Sequence, residues 1–534
     1  MNLSRYFGRA RGALRRKQKL AAERAIVAAE FDAAFYLSGN PDIASAGADP
    51  LDHFLLHGWR EGRDPSAKFS VSAYLETYPD IAQAGVNPLV HYVQAGRAEG
   101  RKPRNPLGFR HQVIATSLPI EARIAAAAER TAKIRLGAAD DLLAALSRSR
   151  TGLKALHITF SHDDYTANLG GVQLCLQREG ARLAQLGRDH LHIYPATHWP
   201  VVRTTEACPL GVLLNGERLG VFTASDIAEL LRHAGEGAVR SLALHSLLGH
   251  SVDEVGAIAR SAGLSGGFFW LHDFASLCAG YHLMRNDVQD CGAPPPNSPA
   301  CGVCLYGPER RRHLAEHERL FEMLELTVVS PSRSALEFWR SSWRFRAAGE
   351  VVHPHALLQP RGAAPAQVEG RLKVAFAGMP APHKGWPVFR ELVARFVDDD
   401  RYEFHHLGAR QAGGVDATFH AVSVTDDQPR AMQAALEAIG ADVVLIWSLC
   451  RETFSFSAYE AAAAGAAVIT NPDSGNVAAF VEEHGLGRLL ADEAALAAAF
   501  ESGEILSLSR GRRAAQVYDL EFSALTVDLL META

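Results

Sequence analysis

"RETFSFSAYEAAAAGAAVIT" (451–470) places two glutamates, Glu452 and Glu460, eight positions apart in front of an alanine-rich run. The preceding "ADVVLIWSLC" (441–450) is β-branched and apolar, the composition of a strand buried on both faces of a parallel sheet. Ala458 to Ala464 is strong helix former, Gly465 is a helix stop, and "AAVIT" opens another apolar run. The stretch therefore predicts strand, tight turn, helix, strand. Glu452 then falls at the carboxyl end of a strand, where open α/β sheets bind ligands, with Glu460 about two turns along the next helix. Each carboxylate also has an ordinary use, Glu452 at a helix N-terminus and Glu460 on a solvated helix face. The pair alone does not choose between these readings.

Outward from this stretch, strands and helices alternate from residue 153 onward, the mark of wound α/β domains. "LKALHITF" (153–160) reads as a strand, "SHDDYTANLGG" (161–171) as a loop ending in Gly170 and Gly171, and "VQLCLQREGARLAQLG" (172–187) as an amphipathic helix. "LHIYP" (191–195), "SLALHSLLGHS" (241–251), "GFFWLHDF" (267–274), "LTVVSPS" (326–332) and "GEVVHPH" (349–355) supply further strands of a first unit, predicted over 151–360. "LKVAFAGMPAPHKGWPVFRELVARF" (372–396) opens a second, predicted over 361–534, with a strand ending at Gly378 and a loop carrying Lys384 and Gly385. Two such units enclose a crevice between the carboxyl ends of their sheets.

Ahead of them lies a tandem repeat of period 38 within 31–105. "FDAAFYLSGNPDIASAGADPLDHFLLHGWREGRDP" (31–65) aligns without gaps on "FSVSAYLETYPDIAQAGVNPLVHYVQAGRAEGRKP" (69–103). Its proline and glycine punctuation predicts short helices and turns. The matched pairs Tyr36/Tyr74 and His53/His91 read as packing residues of the repeat rather than ligands. Residues 106–150 read as a helical connector. The basic opening 1–30, with Arg5, Arg9, Arg11, Arg15, Arg16, Lys17 and Lys19 within 1–22 and no acid there, is either a frayed terminus or a peripheral contact with an anionic membrane.

At 534 residues the chain exceeds a single core, and 48% hydrophobic with 21% charged residues is ordinary for a soluble globular protein. A net charge of −6 speaks against nucleic acid as a partner. No apolar run is long enough to span a bilayer, and seven scattered cysteines do not form a secreted disulfide framework. The cytoplasm is the expected compartment. Four of the cysteines cluster: Cys278, Cys291, Cys301 and Cys304, with a Cys-x-x-Cys knuckle at 301–304. That pattern admits a structural zinc, reduced thiols or a disulfide.

Taken together, the E-x7-E segment, the Gly378 to Lys384–Gly385 spacing and the Gly170–Gly171 loop resemble the retaining glycosyltransferases built from two Rossmann-like domains, the GT-B fold. The resemblance covers about 153–520, and the repeats resemble modules found ahead of bacterial glycosyltransferases. It implies a nucleotide-diphosphate sugar as co-substrate and a glycan or lipid-linked glycan acceptor in surface or exopolysaccharide assembly. By resemblance, Glu452 accepts hydrogen bonds from donor-sugar hydroxyls, Glu460 binds the ribose, and Lys384 neutralises the diphosphate. The backbone N–H groups of Thr453, Phe454 and Ser455 face the same diphosphate at a helix N-terminus, so no catalytic metal is expected. His272 stands near the reacting sugar carbon by the same resemblance, or caps a strand. His162, Asp163 and Asp164 are weaker candidates for an acceptor hydroxyl, as are His245 and His250. The family usually carries an arginine directly after the glycine matched by Gly378, where this chain has Met379; either Lys384 and the helix end suffice, or His383 or Arg451 substitutes. The alternatives are a catalytically silent sugar-nucleotide-binding scaffold and an epimerase of the same fold.

Overall fold

A computed structural model of the chain describes residues 17–532 except 106, 205–207, 234–237, 365–369 and 426. The basic segment therefore lies mostly outside the described residues. Among the described residues no helix is long and apolar enough to cross a membrane.

The fold is α/β: two Rossmann-like domains follow a helical repeat module. In the first domain the strand order is Gly349–Val352, Glu325–Ser330, Gly266–Trp270, Val239–Leu244, Ala155–Phe160, Asp189–Pro195, Leu210–Leu214, Glu217–Phe222. The first six run parallel; Leu210–Leu214 runs against them, and Glu217–Phe222 turns back antiparallel to it. That closing hairpin turns at Asn215–Gly216, both at positive φ (55° and 85°), the backbone that an Asn-Gly hairpin turn requires.

The second sheet is wholly parallel. Its order is Thr418–Ala421, Tyr402–Gly408, Leu372–Ala377, Val443–Leu445, Ala467–Thr470, Gly487–Leu489. In chain order this is 3-2-1-4-5-6, so winding reverses between Leu372–Ala377 and Val443–Leu445. Ligand crevices form at such reversals, outside the carboxyl ends of the strands. Gly378 and the loop to Gly385 follow one of these two strands, and Glu452 follows the other.

The repeats match helix for helix. Ala33–Gly39, Pro41–Ala46, Pro50–His53 and a π-helical turn Phe54–Gly58 return 38 residues later as Val71–Thr77, Pro79–Ala84, Pro88–His91 and Tyr92–Gly96. Each unit buries its tyrosine, whose hydroxyl meets the histidine ring at 2.9 Å (Tyr36–His53, Tyr74–His91). Each also closes with a bidentate arginine–aspartate pair, Arg63–Asp42 and Arg101–Asp80.

Two connections differ from the sequence-based boundaries. The connector 106–150 is split between domains: Phe109 enters the second domain's core, whereas Ile120 and Ala127 enter the first domain's. The C-terminal end also crosses back. After the strand Gln516–Phe522 pairs with Ala356–Ala363, Leu525 and Leu529 pack beside Cys175 and Trp270 of the first domain. Apolar burial decides both crossings, since neither short helix has a core of its own.

Candidate functional site

The second domain presents its half of the crevice through two glycines. Gly378 leaves the strand Leu372–Ala377 at φ 116°, and a single 3-10 turn, Pro382–Lys384, ends at Gly385 with φ 81°. A Cβ on Gly385 would lie 2.0 Å from the Trp447 carbonyl oxygen, so only glycine lets this loop press on the neighbouring strand end. That approach brings Lys384 Nζ to 2.7 Å from Glu452 Oε1, which also accepts from Ser448 Oγ at 2.9 Å. Burial alone would depress the Lys384 ammonium; the Glu452 carboxylate outweighs it and holds the amine charged above the usual lysine range. Glu452 is fixed by its backbone as well, donating to Ser474 and accepting from Asn476.

Past Glu452 the chain enters the helix Phe456–Ala463, capped by Ser455 without a side-chain hydrogen bond. Among the described residues no hydrogen bond engages the N–H groups of Thr453, Phe454 or Ser455. These three residues are buried and immediately precede the helix, whose N-terminal end carries the positive pole of its dipole. Glu460, one exposed twentieth and otherwise buried, has its carboxyl pushed up to about 7 by burial, with Arg178 pulling the other way. Gly378 and Gly171 close the crevice around this helix: a Cβ on the first would lie 3.8 Å from Ser457 Oγ, and on the second 3.8 Å from the Phe456 ring. Gly170 precedes Gly171 in extended backbone at the start of the helix Gly171–Gln185.

Opposite stands His272, two residues beyond the strand Gly266–Trp270. Its Nε2 lies 2.8 Å from His245 Nδ1 and its Nδ1 lies 3.2 Å from His355 Nε2, so both ring nitrogens are engaged by other histidines. This departs from an imidazole aimed at a donor hydroxyl. What His272 offers the second domain directly is its carbonyl, which accepts from Thr453 Oγ1 at 2.6 Å. The row continues to the buried Glu179, whose Oε2 lies 3.0 Å from His245 Nε2. Burial, with the neighbouring histidines, holds the His272 imidazole well below the usual histidine range and so neutral.

The remaining candidates are held by neighbours within the first domain. Asp163 accepts from Gln173, Asp164 from Arg218 and Thr166, and His250 Nε2 meets the Ser161 carbonyl at 2.7 Å. His162 Nε2 lies 3.7 Å from Asp163. Neither substitute for the absent arginine faces the crevice freely. Arg451 pairs with Asp290 at 3.0 Å and lies over Phe338, while His383 stacks on His282 at 4.3 Å. Burial, then Lys384, depresses the His383 imidazole to about 4. Met379 is two-thirds exposed. The cation that sequence reading missed is Arg178, two turns into the helix after Gly171, lying over Phe456 and Phe522 and acting on Glu460.

Cys278, Cys291, Cys301 and Cys304, for which the sequence admits a structural zinc, reduced thiols or a disulfide, are not disulfide-bonded in the structure. All four line one small pocket. Among the described residues, however, the ligand atoms that converge within 4.8 Å are those of Cys175, His272 and His355, and the insertion's cysteines form no such group. The Arg310 guanidinium also donates to Cys301 Sγ at 2.9 Å.

No protein-family model matches this chain, and no curated protein sequence matches it. Solved structures to which it is similar include a sucrose-phosphate synthase from Thermosynechococcus elongatus, at 16% identity and TM-score 0.42, covering 67% of this chain and 92% of that one. Anabaena HepE in complex with UDP and glucose is similar at 13% identity and TM-score 0.41, covering 71% of this chain and 98% of that one. WaaG, a glycosyltransferase involved in lipopolysaccharide biosynthesis, is similar at 14% identity and TM-score 0.38, covering 67% and 94%.

Proposed function

We propose that the chain is a glycosyltransferase that moves a sugar from a nucleotide-diphosphate donor to a glycan acceptor in bacterial surface or exopolysaccharide assembly, with retention of configuration. The observation that carries this reading is the meeting of Lys384 and Glu452 at the winding reversal of the second sheet, beside a helix N-terminus whose N–H groups at 453–455 make no hydrogen bond among the described residues, and a buried Glu460. A nucleotide sugar needs contacts of this kind in this order: acceptors for sugar hydroxyls, positive charge at the diphosphate, and an acceptor for the ribose.

In the reaction, the anomeric carbon–oxygen bond to the diphosphate breaks and its electron pair leaves with the phosphate. Lys384 and the N–H groups of 453–455 stabilise that growing charge from fixed positions, without reorganising at the moment of transfer. Glu452 holds the sugar by its hydroxyls while the acceptor oxygen bonds to the same carbon on the face the diphosphate leaves, and the acceptor's hydroxyl proton passes to the departing phosphate oxygen. Glu460 anchors the ribose. The first domain supplies the acceptor wall, with Gly170 and Gly171 allowing backbone to approach the donor. The repeat module and the basic start of the chain bring the enzyme to its acceptor or to the cytoplasmic membrane surface.

A second reading, a silent sugar-nucleotide-binding scaffold, is favoured by one observation: Met379 is exposed where an arginine is expected, and Arg451 and His383 are engaged elsewhere. A thermal-shift screen against UDP-, GDP- and dTDP-sugars, followed by assay of donor hydrolysis without acceptor, separates the two. Stabilisation with slow release of free sugar supports the transferase. Stabilisation without release supports the scaffold, and no response to any sugar nucleotide rejects both.

A further inference from the structure

The buried row of histidines in the first domain ends in a thiol. Cys175, His272 and His355 come from three separate elements: the helix Gly171–Gln185, the loop after Gly266–Trp270, and the crossover just before Ala356–Ala363. Their ligand atoms lie within 4.8 Å of one another. The two imidazole nitrogens, His272 Nδ1 and His355 Nε2, are 3.2 Å apart, close to the roughly 3.3 Å edge that tetrahedral Zn–N bonds of about 2.0–2.1 Å span. Cys175 and His355 are almost wholly buried, and the Cys175 thiol is free of any disulfide.

The row also has a direction. Glu179 is four residues after Cys175, so one helix face carries the thiol and the carboxylate. The carboxylate favours the proton on His245 Nε2, at 3.0 Å. His245 Nδ1 is then an acceptor, which places the next proton on His272 Nε2, at 2.8 Å. His272 Nδ1 is thereby left with a lone pair that meets His355 Nε2 at 3.2 Å, and an ion between the two would take the place of the proton they share. A ligating histidine whose other ring nitrogen is oriented by a chain ending in a carboxylate is the arrangement that metal sites use to fix tautomer and raise basicity.

We infer that Cys175, His272 and His355 bind a divalent ion of the zinc class, with three protein ligands, one position for water, and His245 and Glu179 as the supporting chain. A thiolate with two imidazoles selects zinc-like ions over magnesium or calcium. The ion pins the interdomain crossover at His355 to the strand end at His272, whose carbonyl meets Thr453 across the crevice. It acts on the position of the acceptor wall. The inference stands on this geometry and does not depend on the transferase reading.

The test uses the full-length protein, stripped of metal and titrated with Co2+ in the absence of any sugar nucleotide. The expected result is a single equivalent bound, with a thiolate-to-cobalt charge-transfer band that Cys175→Ser abolishes and Cys301→Ser leaves intact. Glu179→Gln keeps the band and weakens affinity about 10- to 100-fold, the scale for loss of an outer-shell partner. His355→Asn, which keeps the thiolate, weakens it at least about tenfold and decides the matter if Cys175→Ser does not fold. A folded wild type without the band overturns the inference. So does a band that survives Cys175→Ser, or an affinity unchanged in His355→Asn.

Discussion

Lys384 Nζ and Glu452 Oε1 stand 2.7 Å apart across the winding reversal of the second sheet, joined without ligand although each is suited to a different part of one. The ammonium is shared between the carboxylate and any diphosphate that enters, so the two substitutions separate. Lys384→Ala is expected to weaken nucleoside diphosphate and intact donor while leaving nucleoside unchanged. Glu452→Gln frees the lysine, so nucleoside diphosphate binds at least as tightly as before, yet turnover falls roughly a hundredfold or more, the scale for removing one transition-state contact. Calorimetry with nucleoside, nucleoside diphosphate and donor, beside an activity assay, reads both. Equal losses with all three ligands for Lys384→Ala would point to a folding defect instead.

Glu460 makes stability depend on pH. Its carboxyl titrates near 7 in the folded protein and near 4.5 when unfolded, so between those values the unfolded state loses its proton first and stability falls as pH rises. Glu460→Gln removes that penalty. The variant is expected to be more stable than wild type at pH 8, by about 3 kcal/mol at most, with the difference vanishing toward pH 4. Urea unfolding at the two pH values checks the sign. Wild-type affinity for a nucleoside diphosphate should rise through pH 7, as an ionised carboxylate accepts two ribose hydrogen bonds; an affinity flat from pH 6 to 8 removes Glu460 from the ribose.

Much of this site could be read from sequence because its signals are local. Apolar runs marked the parallel strands, and Gly378, Gly385 and Gly465 each sit at positive φ where a strand or helix must stop. The period-38 repeat specified its own helices. What escaped was long-range or buried. The hairpin Leu210–Leu214 and Glu217–Phe222 has an Asn-Gly turn as its one local signal, with short strands on either side. The row Glu179, His245, His272, His355 spans 176 residues of chain and is assembled by the sheet order rather than by any spacing. The Cys-x-x-Cys knuckle drew attention to the insertion, while the sulfur that meets imidazoles is the isolated Cys175 in an amphipathic helix. A one-dimensional pattern favours ligands that are neighbours in sequence, and packing is under no such restriction.

The repeat module gives a prediction about packing alone. A Cβ on Gly96 would lie 2.3 Å from the Tyr74 hydroxyl and 3.3 Å from His91 Nδ1, displacing the bond between them. Gly96→Ala is expected to destabilise the module by about 1–3 kcal/mol, the range for overpacking a filled site. Tyr74→Phe removes the obstructing oxygen, so the double variant should recover part of that loss instead of adding a second one. Strictly additive losses in thermal unfolding would show that the tyrosine hydroxyl is not what makes glycine necessary.

Thr453 couples the two domains. Its hydroxyl donates to the His272 carbonyl at 2.6 Å, and its own carbonyl accepts from Ser332 Oγ at 2.8 Å, so one residue of the second domain is held at two points by the first. The residue is almost wholly buried. Thr453→Val keeps the shape and removes only the donor, leaving the His272 carbonyl without this partner, at a cost of about 1–3 kcal/mol. Thr453→Ser restores the hydroxyl and should regain most of the loss. Because the bond joins domains, the change should also appear as faster hydrogen exchange at 270–274 and 453–456, the two segments that it holds together. A Val variant as stable and as protected as wild type would mean that the domains are held by apolar contact alone.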